Sequence, residues 1–140
     1  MSIQSVLFPL FVQITLTLAV MYTMAVRRFS AIRAGALRGP ITLREPNWPT
    51  DALQAGYNYQ NQFELPVLFY VLTILSIMTR HADLLFVVLA WLFVATRVVH
   101  AYIHLTSNSL PHRGFIFIAG AILLTIMWII FMVRILLGLS

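Results

Sequence analysis

The chain has 140 residues, the size of one domain, with 61% hydrophobic and only 9% charged residues. A soluble domain carries about 25% charged residues, and so short a chain cannot hide this much apolar surface in a water-soluble core, which excludes an ordinary soluble protein. There is no cysteine, which excludes disulfides, thiolate nucleophiles on the protein and Cys-based metal sites; the net charge of +5 is carried by arginine without lysine, scattered between apolar spans, which fits membrane topology and excludes nucleic acid as a partner.

The first apolar stretch predicts a helix over 6–27. Its leader, MSIQS, has no positive charge and the run is longer than the core of a signal peptide, so it reads as a retained span. A long connection follows, with Gly35, Gly39, Pro40, Pro46 and Pro49. The second span is expected over 57–79, with a polar helical lead-in from about Gln54. After the short connection 79–83 the third helix runs over 84–106, antiparallel to the second. Asn108, Pro111 and Gly114 break the chain before the fourth helix, over 114–138. Each span meets or nearly meets the ~20 residues that a bilayer crossing needs. The expected fold is all-α: a single four-span membrane bundle with no internal repeat.

Charge sets an expected orientation. The first connection carries Arg27, Arg28, Arg33, Arg38 and Arg44 against Glu45 and Asp51, and the third adds Arg113. Arginine-rich loops stay in the cytoplasm, which places loops one and three there and both termini on the opposite side. Arg134, near the end of the fourth helix, reaches the other interface by snorkelling.

Polar groups inside a span are costly and face the bundle interior or a wet cavity. In the second span Gln54, Tyr57, Asn58, Asn61 and Glu64 recur in steps of three and four, on one helical face. They form either a structural stripe paired to a neighbour or one wall of a ligand site. In the third span Arg97, His100 and His104 form another stripe. The two histidines stand at i and i+4, a spacing that can bind zinc, but the chain offers no Cys and no HExxH glutamate, so no metal is expected. Arg113, at the entrance to the fourth helix, marks a membrane interface when taken alone. Topology brings these sets to one level of the bundle. A chamber lined by an acid, amides, imidazoles and arginine suits a carboxylate-bearing zwitterion, since arginine clamps carboxylates bidentately, while the apolar outer walls suit a lipophilic small-molecule substrate and membrane lipid.

The sequence Asn61–Gln62–Phe63–Glu64 with Pro66 just after it, the run Arg97–Val98–Val99–His100, and Arg113 sixteen residues beyond Arg97 resemble the membrane-associated proteins in eicosanoid and glutathione metabolism, the MAPEG family, with the last spacing similar to its prostaglandin E synthase branch. The resemblance covers the whole chain in span order and length. It implies a homotrimer that binds glutathione as co-substrate between adjacent subunits, and a glutathione-dependent transferase or peroxidase acting on lipophilic electrophiles or hydroperoxides. Arg113 then matches the catalytic arginine that holds the glutathione sulfur as a thiolate. Asn61, Glu64 and His100 match glutathione contacts, and Arg97 stands beside the same pocket. Arg28 or Arg33, at the end of the first helix, would reach the peptide's carboxylates. His104 stands where family enzymes often carry tyrosine, and Gln60 and Tyr57 stand where some members carry arginine. The same scaffold also serves a non-catalytic lipid-binding protein, which is the alternative reading, with metabolite binding beside it. A small multidrug-type transporter is a third, but such proteins place their glutamate in helix one, where this chain has Gln13 and threonines.

Overall fold

The computed structural model describes residues 1–40, 42 and 47–139, so Arg44, Glu45 and Pro46 of the first connection lie outside the described residues. The chain is an all-helical integral membrane protein. Among the described residues four segments are long and apolar enough to cross a bilayer: Ile3–Arg33, Thr50–Met78, Leu84–Leu105 and Leu110–Leu136. The element order is α1 (Ile3–Arg33), α2 (Thr50–Asn61), α3 (Leu65–Met78), α4 (Leu84–Leu105) and α5 (Leu110–Leu136), with no strand among the described residues.

Local chemistry sets most helix ends. Ser2 caps α1 by accepting from Ser5 N–H, and Asp83 caps α4 by accepting from Phe86 N–H. The first helix continues well past residue 27. Good helix formers persist to Arg33, and the helix closes only at Gly35, whose φ of +65° is left-handed. There Ala36 N–H reaches Ala31 O and Gly35 N–H reaches Ile32 O, the paired bonds that finish a helix at glycine.

The second crossing departs from the expected continuous helix. It begins at Thr50 and breaks over residues 62–64 into α2 and α3. Pro66 is the cause: it has no N–H to give the Gln62 carbonyl, and its ring crowds that position. The chain tightens instead, with Gln62, Phe63 and Glu64 N–H bonded to the carbonyls of Tyr59, Gln60 and Asn61.

α1 packs on α2, α3 and α4; α4 packs on α5 and α2; α3 packs on α5. The apolar core lies toward the end that holds the termini and the second loop. It joins Val6 of α1, Phe69 and Leu72 of α3, Phe86, Ala90 and Phe93 of α4, and Leu124 and Met127 of α5. The opposite end, where α2 replaces α3 against α4, is polar. Many large apolar side chains on the outer faces, such as Phe8, Phe11, Ile74, Ile118 and Ile122, are exposed on the bundle, as lipid-facing side chains are.

The break is bridged by a buried polar ladder. Gln13 Nε2 donates to Gln62 Oε1 (2.9 Å), Gln62 Nε2 donates to Asn58 Oδ1 (3.1 Å), and Asn58 Nδ2 donates to Ala101 O (3.0 Å), joining α1, the α2–α3 junction and α4. All three side chains are fully buried. Arg27 ties the same end together, donating to Asp51 O and Leu105 O, each at 3.0 Å.

Candidate functional site

At the polar end an open groove of about 400 Å³ runs between α2, α4 and α5, lined by Tyr57, Asn61, His100, His104, Arg113 and Phe117, with Leu110 and Gly114. The helix geometry explains the set. Tyr57 and Asn61 are one turn apart on α2, His100 and His104 one turn apart on α4, and Arg113 and Phe117 one turn apart on α5.

α4 and α5 run antiparallel, so their turns pair off. The His100 ring packs on Phe117 with centroids 5.8 Å apart, and the His104 ring lies 5.8 Å from His100 in an edge arrangement. One turn toward the third loop, His104 and Arg113 share a level. Both histidines are nearly inaccessible, and their Nδ1 atoms are buried with no hydrogen-bond partner in the chain.

Arg113 sits in the first turns of α5. Its Nη1 donates to Asn108 Oδ1 at 2.6 Å. Asn108 adopts φ of 51°, a left-handed conformation that asparagine tolerates better than most residues, and its N–H closes α4 by bonding Ile103 O at 2.7 Å.

Arg97 lies behind the groove, with 1% exposure. Its Nη2 donates to Asn61 O at 3.3 Å, at the carbonyl end of α2, where the helix dipole favours a cation. Its Nε and Nη1 are buried without partners in the chain. A buried guanidinium with free donors is costly and favours an anion nearby. The residues therefore fit a negatively charged ligand group, and they offer no carboxylate to a metal cation.

The other expected residues fall elsewhere. Glu64 does not share the stripe with Asn61: the break turns it out to an exposed position, and it lines no part of the groove. No ion pair within 4.0 Å engages it among the described residues, the one such pair being Arg134–Asp83 at 2.9 Å. Arg28 lies in an adjoining hollow of about 340 Å³ with Trp48, Gly56, Tyr59 and Gln60. Its guanidinium stacks over Trp48, 5.2 Å from the ring centre. Tyr57 lines both hollows, so they share a wall. Arg33 is exposed at the end of α1 and lines neither.

Trp48, Asn108 and Phe117 are lining or supporting residues that sequence reasoning did not single out as site residues. Phe117 was findable, four residues beyond Arg113 on the same helix. Trp48 lies in an aperiodic connection, and only the fold brings it to Arg28.

The family model described as the MAPEG family matches residues 6–133 of the chain. Neither the curated proteins nor the solved structures include a match to it.

Proposed function

The chain belongs to the MAPEG family, and from that premise we propose that it is a glutathione-dependent membrane transferase or peroxidase acting on lipophilic electrophiles or hydroperoxides. The observation that carries the reading is the placement of Arg113 in one groove with Asn61, His100 and His104. A thiol with an ordinary pKa near 8.5 ionises more readily beside a fixed cation, and the thiolate is the nucleophile. Arg113 is the cation and Asn108 fixes its direction.

The remaining residues support the same assignment. Arg28, in the hollow across Tyr57, meets a peptide carboxylate, and the unpartnered donors of Arg97 add positive potential behind Asn61. Phe117 and Leu110 give the groove an apolar flank toward lipid. A homotrimer, with a neighbouring subunit closing the open side of the groove, belongs to this proposal. So does a cytoplasmic location for loops one and three, supported by their arginines.

The alternative is a non-catalytic lipid- or metabolite-binding protein on the same scaffold. Glu64 outside the groove favours it, because a ligand ammonium then lacks its acid.

The test is isothermal titration of the detergent-purified protein with glutathione, followed by conjugation to chlorodinitrobenzene. Binding with turnover supports the enzyme. In Arg113→Leu turnover falls by about 10²–10³-fold while binding is partly kept, as for loss of one preorganised donor to a developing anion. Unchanged turnover in that variant overturns the role of Arg113. Binding in the parent without a thiolate absorbance band supports the alternative.

A further inference from the structure

Holding a thiolate and making one are different tasks. Arg113 stabilises the anion but cannot take the thiol proton, because guanidinium stays protonated in proteins. The groove must therefore contain, or connect to, a separate proton acceptor. Its lining narrows the choice. The Asn61 amide is not a base, and the Tyr57 phenol offers a hydroxyl donor and acceptor rather than a basic nitrogen. Glu64, the nearest carboxylate in sequence, is turned out of the groove. His100 and His104 are the remaining lining side chains with a ring nitrogen able to accept a proton, and each leaves its Nδ1 without a hydrogen-bond partner in the chain.

Helix register separates the two. His100 is packed against Phe117, on the apolar side of the groove. His104 is one turn nearer the third loop, on the level of Arg113, and so on the level of a sulfur held by that arginine. Its charged and titratable surroundings are Arg113 from α5, Tyr57 from α2, Arg97 and His100 along α4, and Arg27 of α1, which bonds the carbonyl of the following residue, Leu105.

We propose that His104 is the proton shuttle of a glutathione-dependent hydroperoxide reduction at this groove, an inference that rests on the glutathione reading above. His104 takes the proton from the glutathione thiol, and the thiolate stays against Arg113. The sulfur attacks the outer oxygen of a lipid hydroperoxide. An S–O bond forms and the O–O bond breaks. The leaving alkoxide takes the proton back from His104 and departs as an alcohol. Sulfur is oxidised to the sulfenic acid and the hydroperoxide is reduced by the same two electrons. A second glutathione thiol then converts the sulfenic acid to glutathione disulfide and water.

The assignment separates two chemistries. An alkoxide is a poor leaving group and needs a proton, whereas chloride leaves a chloronitroaromatic ring without one. His104→Gln, measured in the full-length detergent-purified protein, should lower kcat for cumene hydroperoxide by about 10²-fold, the usual worth of a positioned acid–base group. Conjugation to chlorodinitrobenzene should fall by less, because His104 serves it only in taking the thiol proton and no proton reaches the leaving chloride. His100→Gln should show no such split.

A binding measurement gives an independent readout. Titrating glutathione in buffers of different ionisation enthalpy counts the protons released, and ultraviolet absorbance counts the thiolate formed. The parent should release fewer protons than it forms thiolates, because His104 keeps them, and His104→Gln should release one per thiolate. Equal loss of both activities in His104→Gln, or one proton released per thiolate in the parent, overturns the shuttle. A parent protein with neither activity and no thiolate band overturns the glutathione reading itself, and the shuttle with it.

Discussion

Asn108 Oδ1 accepts a 2.6 Å hydrogen bond from Arg113 Nη1, while Asn108 itself holds the left-handed φ of 51° that ends α4. One residue thus makes the turn between α4 and α5 and aims the cation of the groove. Asn108→Gly keeps the turn and removes the amide. It should leave the melting temperature within a few degrees and lower glutathione turnover by about tenfold, the loss of one hydrogen bond to a charged group. Asn108→Ala should cost stability as well, because alanine resists positive φ. Equal turnover in Asn108→Gly and the parent would show that Arg113 needs no such hold.

The Gln13–Gln62–Asn58 ladder should contribute measurably to stability. Buried side-chain hydrogen bonds between membrane helices contribute about 0.6 kcal/mol on average and up to ~1.7. Gln62 makes two of the ladder's bonds, so Gln62→Leu should cost on the order of 1–2 kcal/mol in a detergent unfolding assay. In a double-mutant cycle with Gln13→Leu the two losses should add to less than their sum, and strict additivity would show that the pair is not coupled.

Gly120 allows the close approach of α5 to α4. A Cβ built there lies 2.8 Å from Thr96 Oγ1, and that hydroxyl is pinned by its own 2.6 Å bond to Phe93 O. Gly120→Ala should therefore destabilise by about 1–3 kcal/mol, as overpacking does. Adding Thr96→Ala should recover most of the loss, since the next contact, Thr96 Cβ at 3.6 Å, is ordinary. A melting series on the four proteins decides this.

At the other end of the bundle, Asp83 has a pH signature. Burial opposes its ionisation, but the Arg134 guanidinium and the Phe86 N–H outweigh that and hold its carboxyl below the usual carboxylate range. A group depressed in the folded state stabilises above its unfolded pKa, near 3.9, and loses that contribution as the pH falls through its folded value. The melting temperature should stay level from pH 8 to pH 5, and its Asp83-dependent part should begin to fall near pH 4 and be gone only once the pH is below the folded value. The side chain is 47% exposed, so the ion pair contributes less than about 1 kcal/mol. Asp83→Asn, which keeps the cap, should cost less than Asp83→Ala, which removes it. Equal losses would assign the whole effect to the charge.

The four crossings were legible from apolar run length, which is a property of composition and needs no tertiary contact. So was the meeting of Asn61, His100, His104 and Arg113, because alternating helix direction brings those segments to one end. The fate of Glu64 was not. Extending the stripe from Asn61 to Glu64 assumed an unbroken helix, and Pro66, in plain view, acts on the carbonyl four residues before it. Gln62 and Gln13 were missed for a related reason: 49 positions separate them, and only the packing of α1 on the junction makes them partners. Arg27 read as a topological charge, yet its two backbone acceptors make it a tie between three helices.

The interruption at residues 62–64 also sets how deep the groove lies. α3 has 14 residues and at ~1.5 Å per residue is about 21 Å long. The hydrocarbon slab is about 30 Å thick. The last several ångströms of that crossing are therefore supplied by α2, and Asn61 lies below the headgroups, at a level where acyl chains begin. On the function proposed above, a lipophilic substrate would reach Phe117 and Arg113 by lateral diffusion, without leaving the membrane, and its effective concentration would be set by how strongly it partitions into lipid. Apparent KM values across a substrate series should then track the oil–water partition coefficient more closely than the shape of the molecule.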